Sequence, residues 1–491
     1  MSGQDPRKVS RAAAARRIEL AAEFGRAGRP AEAEKICREV LGVDPVCFDA
    51  LHLLALLRHQ AGQSSEALEL IDQALRANRR SADALANRAT ILLQLGRADE
   101  ALATCERALK LAPRHLYALS NRGSAQRALG RDADALATFE KLLALDPGSA
   151  ATWSNHGTLL RALGRYAEAR ASIERALALD PNNAFLRFND GFLRLAMGDF
   201  AGGWEQHEFR WQRAANPWQK VRPQWSGAEP LAGKTILLYA EQGFGDALQF
   251  IRYVPRVARA ADRVWLKIHD SLTALELPLA DNVALLGAHP GADVPPFDLQ
   301  CPLMSLPRAF RTEIATIPNA PYVRAPTDRI ATWAARLPPR RRPRIGFAWA
   351  GNPAQHNDRN RSIPLAQLLP LLDAADADFV SLQRDLRPGD DALLQHPRIV
   401  PLGTEFADFA DTAALVAQLD LVITIDSAVA HLVGAMGKPM WVLLAFCPDW
   451  RWLIDREDCP WYPSARLFRQ PASGDWHSVI ARVARELRAL P

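Results

Sequence analysis

Three segments decide the first part of the fold: GRADEALATCERALKLAP at 96–113, GRDADALATFEKLLALDP at 130–147 and GRYAEARASIERALALDP at 164–181. They start 34 residues apart, and the step extends outward as Gly28, Gly62, Gly96, Gly130, Gly164 and Gly198. Five residues after each glycine stands a small residue, Ala33, Ala67, Ala101, Ala135 and Ala169, with Gly203 last. Pro45, Pro113, Pro147 and Pro181 keep the same period, and Arg79 replaces the proline once. A fixed period of this length marks stacked helical hairpins. The glycine closes the first helix, where a left-handed cap suits a residue without Cβ. The small residue lets the second helix pack closely on the first, and the proline stops it. Between them, residues 101–111 place apolar side chains at helical spacing.

Within one such unit, Trp153, Gly157, Gly164, Ala169, Ala176 and Pro181 fall in the order of the tetratricopeptide repeat, which the segment resembles. Repeats two to five are regular, and the first and sixth are degenerate, as end caps often are. The resemblance implies a superhelix with a concave groove that binds polypeptide. Asn87, Asn121 and Asn155 recur in register on the first helices and are the candidate acceptor-groove residues. A plain polar helix face explains them equally well.

The bulk numbers set limits. The chain has 491 residues, 48% apolar and 23% charged, as an ordinary globular protein does. Sixty basic residues face 55 acidic ones, a net charge of +5, with no basic stripe, so nucleic acid is not an expected partner. The run Arg340, Arg341, Arg342 and Arg344 lies among prolines and reads as a solvated linker. Residues 1–20 lack the apolar core of a secretory signal, and no stretch is apolar and long enough to span a membrane. Six scattered cysteines form no CxxC pair, so a reducing, cytoplasmic location is expected.

After Gly198 the period decays. Trp204, Trp211, Trp218 and Trp225 stand seven apart, but Pro217 and Pro223 forbid one continuous helix. These indoles read as packing between the last hairpin and the second half of the chain; a sugar-stacking platform is the alternative. From Lys234 strands alternate with helices: strands at 235–240, 263–268, 344–350, 378–382, 398–402, 421–425 and 439–444, with a helix at about 247–260. This alternation predicts parallel sheets with crossover helices. A Pro/Arg break at 337–344 separates two halves, with ligand expected at the carboxyl ends of the strands.

Three constellations carry chemistry. Glu241-Gln242-Gly243-Phe244-Gly245-Asp246 follows a strand, and its glycines let backbone approach a ligand. Leu248 stands where a dinucleotide fingerprint needs glycine. Asp246 is placed to act as a base or to cap the helix, and the local sequence favours the cap. In the second, Asp426 is a natural N-cap, and the N–H groups of Ser427, Ala428 and Val429 suit a diphosphate. Ser427 and His431 are one turn apart, but no nucleophile elbow surrounds the serine. The third, 346–352 with the polar loop from His356 to Ser362, offers Arg359 or Arg361 to phosphate, or is simply solvated.

Together the segments from 235 to 490 resemble the bacterial heptosyltransferase-like glycosyltransferases. Gly243-x-Gly245-Asp246 matches that family's glycine–aspartate motif, and Asp426-Ser427-x-x-x-His431-Leu432 its donor motif. Ala348-Trp349-Ala350-Gly351 departs from the family's usual His-Pro-Gly. The resemblance implies a GT-B fold of two Rossmann-like α/β halves after the α-helical tetratricopeptide superhelix. It implies a nucleotide-sugar donor, with Asp246 as catalytic base. Gly243, Gly245, Arg361, Asp426, Ser427, Ala428 and His431 would be donor-binding. The expected domains are 1–203, a Trp-rich junction at 204–233, 234–337 on the acceptor side and 338–491 on the donor side. Fusion to repeats is similar in architecture to O-GlcNAc transferases, which implies a protein acceptor. The aromatic tail around Cys447 to Trp452 and Cys459 to Pro463 looks like that of repeat-linked members and either covers a ligand or packs. No metal or other cofactor is expected: Asp132-x-Asp134 lies in a repeat helix, and Asp376-x-Asp378 precedes a strand rather than following one. Homo-oligomerisation stays open. The rival reading is a repeat scaffold carrying an inactive transferase-like domain.

Overall fold

The computed structural model describes residues 6–212, 218, 220–287, 293–355 and 357–490; Pro217 and His356 lie outside them. It divides into two compact units, Met1–Pro181 and Asn182–Pro491.

In the first unit the described residues form ten helices: α1 (Pro6–Arg26), α2 (Pro30–Val43), α3 (Phe48–Gln60), α4 (Ser64–Ala77), α5 (Ala82–Gln94), α6 (Ala98–Leu111), α7 (Leu116–Ala128), α8 (Asp132–Leu145), α9 (Ala150–Ala162) and α10 (Tyr166–Leu179). They pair as hairpins α1/α2 to α9/α10. The glycine of each period has a φ between 72° and 84°. That left-handed region is open to glycine without a Cβ penalty. It turns the next N–H back into the helix, so Arg97, Arg131 and Arg165 donate to the carbonyls of Leu92, Gln126 and Leu160. Ala33, Ala67, Ala101, Ala135 and Ala169 are fully buried. A polar rung recurs inside the hairpins: Arg88 donates to Thr104 Oγ1 at 2.7 Å, Arg122 to Thr138 Oγ1 at 3.0 Å, and His156 Nδ1 lies 3.0 Å from Ser172 Oγ.

The second unit begins with the sixth hairpin, α11 (Ala184–Ala196) and α12 (Phe200–His207). The contact boundary therefore falls at 181/182, not at the expected 203. The reason lies in its aromatic side chains. Trp204 donates from Nε1 to the Thr312 carbonyl at 2.8 Å and meets the rings of Trp450 and Trp461 at 5.3 and 6.3 Å. Phe200 stacks on Trp461. This is core packing, and the hairpin cannot leave it without exposing indoles.

Among the described residues ten strands come next: β1 (Thr235–Tyr239), β2 (Arg263–Lys267), β3 (Val283–Leu286), β4 (Leu299–Pro302), β5 (Arg344–Ala348), β6 (Asp378–Ser381), β7 (Ile399–Val400), β8 (Leu421–Ile425), β9 (Met440–Leu444) and β10 (Ala465–Arg469). They form two parallel sheets, ordered β3-β2-β1-β4 and β10-β9-β8-β5-β6-β7. Both faces of each sheet are covered, as parallel sheets require. In the first, Ile236 and Leu238 enter the main core, while Leu237 and Tyr239 face Trp211, Trp218 and Phe297. In the second, Val422, Val442 and Leu444 enter the main core; Ile423, Ile425 and Leu443 pack under the helix Trp476–Arg488.

Trp204 and Trp225 thus serve as packing, and Trp211 and Trp218 are half-buried against Leu237, Tyr239 and Phe297. Trp204 and Trp225 are 2% and 5% exposed and present no face to a sugar. Strands β3, β4 and β10 were not expected from the sequence. β3 and β4 are four residues each, and β10 carries Arg466 and Arg469 beside its apolar residues. The helix after β1 starts at Phe244 rather than near 247.

Candidate functional site

The carboxyl ends of β1, β5, β6 and β8 open into one cleft of about 640 Å³ within the second unit. It is lined by Gln242 to Asp246, by Ala350, Gly351 and Asn352, by the 382–385 turn and by Asp426 to Val429, with Arg361, His431, Asp449 and Arg451. Gly243, Gly245, Asp246, Arg361, Asp426, Ser427, Ala428 and His431 are thus brought together from positions as far apart in sequence as 243 and 431.

Gly243 caps the helix Phe244–Phe250 but has no side chain to satisfy its first turn. Asp246, the third helical residue, makes only the return half of a capping box: its Oδ2 accepts the N–H of Gly243 itself at 3.0 Å. Its other oxygen, Oδ1, accepts from Arg451 Nη2. Cap and charge pair are therefore two halves of one carboxylate. Burial raises the Asp246 pKa, the Arg451 charge opposes this, and the net direction is up. Arg451 also donates to Asp449 at 2.7 Å and to Gln249 Oε1 at 2.8 Å. Burial works against its charge, but Asp449 and Asp246 hold it protonated.

Gly245 is a point of close approach. A Cβ there would stand 2.6 Å from His431 Cδ2, on the helix Ala428–Ala435 of the second sheet. The His431 ring turns away from Ser427: its Nδ1 lies 2.8 Å from Tyr462 Oη, and it stacks on Trp452. Ser427 Oγ lies 3.4 Å from Thr424 Oγ1. The serine–histidine spacing thus builds no nucleophile–base pair. Burial and the charges of Arg451, Arg252 and Arg361 push the imidazole pKa well down, so it is neutral.

Asp426 is not the N-cap. The helix starts one residue later than its sequence suggests, and Ser427 holds that position without a side-chain cap bond. The Asp426 carbonyl instead accepts from Arg361 Nη1 at 2.9 Å, and burial with nearby Asp449 raises its carboxyl pKa. Arg361 is not in a solvated loop. Its side chain is 13% exposed, and its guanidinium lies where a Cβ on Gly351 would come within 2.6 Å. Asp358 accepts from Arg387 at 2.5 Å and from Ser362 Oγ at 2.8 Å, which fixes the turn beneath it.

Residues that the sequence reading missed complete the site. Gln383 accepts the N–H groups of Trp349 and Ala350 and donates to the Ala350 and Asp385 carbonyls, locking the turns after β5 and β6. Arg451 had one signal: Asp449-x-Arg451, a charged pair set among tryptophans. Trp450, Trp452 and Trp461 are at most 1% exposed, so the aromatic tail packs rather than covering a ligand.

In the first unit, Asn121 Nδ2 donates to the Ala86 carbonyl at 2.9 Å and to Thr90 Oγ1 at 2.8 Å. Asn87 Nδ2 lies 2.8 Å from His52 Nε2. These amides bind one repeat to the next, a use the groove reading did not include; Asn155 is half-buried at the equivalent place. Asp134 pairs with Arg131 at 2.8 Å and exposed Asp376 with Arg342 at 3.0 Å. Among the described residues, no group of three or more His, Cys, Asp or Glu is placed to hold a metal. Among them also, no helix is long and apolar enough to cross a membrane.

The tetratricopeptide-repeat family matches residues 18–82, 52–115 and 87–150, and a second tetratricopeptide-repeat family matches 150–183. Protein FlbA of Caulobacter vibrioides is 28% identical over an alignment 315 residues long that covers 58% of this chain and 52% of FlbA. The chain thus spans about half the length of that relative. Among solved structures, Pseudomonas aeruginosa pilF is 23% identical over 42% of this chain and 92% of its own, with a TM-score of 0.37. A thermophilic TPR protein of Thermus thermophilus is 23% identical over 37% of this chain and 99% of its own, with a TM-score of 0.34. From 18 to 183 the chain carries tetratricopeptide repeats, and the described residues of its first unit are all-helical.

Proposed function

We propose that the second unit is a GT-B glycosyltransferase that moves a sugar from a nucleotide-diphosphate donor to an acceptor hydroxyl. The observation that carries this reading is the convergence of three features in one cleft at the ends of two parallel sheets: the Asp246–Arg451 pair, Arg361, and the amino end of the helix Ala428–Ala435. A cleft of about 640 Å³ is of a size for such a donor. A raised carboxylate pKa makes Asp246 a stronger base than a solvated aspartate while Arg451 keeps it ionisable.

In the proposed step Asp246 takes the acceptor proton. The acceptor oxygen forms a bond to the anomeric carbon as the bond from that carbon to the diphosphate oxygen breaks. The leaving diphosphate carries the electron pair, and its charge is met by Arg361 and by the backbone N–H groups of Ser427 and Ala428. No metal enters this scheme. The acceptor is proposed to be a polypeptide recruited by the repeats.

A thermal-shift panel of nucleotide sugars tests the donor, because a ligand at 100 times its Kd stabilises by about 2.7 kcal/mol. Asp246→Asn is expected to abolish transfer and to leave nucleoside-diphosphate binding within about threefold, since the amide still accepts the Gly243 N–H. Unchanged turnover in that variant would remove Asp246 as the base.

A further inference from the structure

The turn that carries Asp246 is held from a place the sequence did not single out. Glu241 ends the link from β1 into that turn, and its side chain is 4% exposed. Arg210, in the short turn that leaves α12, grips it with two bonds: Nε to Oε2 at 3.1 Å and Nη2 to Oε1 at 2.9 Å. Glu241 Oε1 also accepts the Met304 N–H at 3.2 Å. Arg210 is itself 7% exposed and donates further to Glu208 at 2.7 Å and Ser305 Oγ at 2.7 Å. On the far side of the same turn, His269 Nε2 lies 2.7 Å from the Gln242 carbonyl. The other partner of the ion pair is steadied by the same hairpin: His207 and Trp204 pack their rings on Trp450, next to Arg451, at 6.2 and 5.3 Å. Burial lowers the His207 pKa far enough to leave a neutral ring beside that cation.

We infer that Arg210 and Glu241 are positioning residues: the exit of the sixth hairpin sets where the Gly243–Asp246 turn stands and so fixes the carboxylate against Arg451. The hairpin then belongs to the site, which explains why it packs with the α/β unit. The planar guanidinium matters because a bidentate pair fixes direction as well as distance. Its consequence for rate rests on the transferase reading, but the positioning itself does not.

The test uses Glu241→Gln, which keeps size and one acceptor, and Arg210→Lys, which keeps charge without the fork. Backbone hydrogen exchange of the full chain is measured at Gly243, whose N–H is bonded to Asp246. The expected result is exchange at Gly243 faster by about tenfold in both variants, with core strand β8 unchanged. In parallel, kcat for a nucleotide sugar should fall about tenfold or more while KM and calorimetric Kd for the nucleoside diphosphate stay within about twofold. Unaltered exchange at Gly243 overturns the inference, whatever the activity. Altered exchange with a wild-type protein that turns over no nucleotide sugar leaves the positioning standing and removes the transferase reading instead. Should Glu241→Gln unfold, Arg210→Lys alone decides by the same exchange measurement.

Discussion

Removing Arg451 is the sharpest perturbation of the candidate site. Its guanidinium serves Asp246 and Asp449 together, and the two side chains of the Asp246 pair are 9% and 21% exposed. Unit charges about 4 Å apart interact by roughly 4 kcal/mol at an effective dielectric constant near 20. One pH unit corresponds to about 1.4 kcal/mol, and a single opposite charge typically moves a carboxyl by about one to three units. Burial already raises the Asp246 pKa and Arg451 restrains it, so in Arg451→Met the carboxyl rises further, and uncompensated Asp449 adds in the same direction. The acidic limb of kcat should therefore move up by about one to three pH units, with activity partly regained at alkaline pH. Arg451→Lys should hold the limb within about half a unit, because the charge remains. The linkage sign gives a second readout. A carboxyl whose folded pKa is raised stabilises the fold below its unfolded value near 3.9, and that contribution is lost as pH rises through the folded pKa. Arg451→Met should therefore gain stability relative to wild type as pH falls from about 8 to 5. Circular dichroism first establishes that the variant is folded. A folded Arg451→Met whose acidic limb coincides with that of wild type refutes the pairing as the control on Asp246.

Arg361→Ala should weaken nucleoside-diphosphate binding by about 1.5–3 kcal/mol, measured by calorimetry, as loss of a charge-assisted donor does; equal affinity would confine Arg361 to holding the Asp426 carbonyl. Deleting residues 1–181 should leave the second unit folded and donor binding intact, because the cut coincides with the contact boundary. It should lower transfer to a polypeptide far more than to a small mimic, since remote binding energy is lost; equal transfer to both would show that the repeats do not recruit the acceptor. Gly130→Ala, at φ 72° with open space around the missing Cβ, should destabilise the repeat array by about 1–2 kcal/mol in urea through backbone strain alone. A null effect there would mean that the left-handed cap relaxes freely.

The repeat unit was legible in the sequence because its determinants are local. A left-handed glycine, a small residue five later and a proline stop each act on their own hairpin, and the 34-residue step repeats the instruction. The parallel strands were legible in the same way wherever an apolar run was long, as at 421–425 and 440–444. Val283–Leu286 was missed although Asp378–Ser381, of the same length, was read, so length alone does not decide which strands are legible. Glycine followed by aspartate after a strand, and Asp-Ser before a helix, likewise marked their turns without the partner in view. What only tertiary structure decided is which groups meet. Asp246 and Arg451 are 205 residues apart in sequence, and Glu241 and Arg210 are 31 apart on different elements. His431 faces Tyr462 rather than Ser427, one helical turn away. The sixth glycine has the same backbone conformation as the other five, but its hairpin packs with the α/β unit. A local code sets dihedral angles, whereas charge pairing and indole burial depend on what packing brings within a few ångströms.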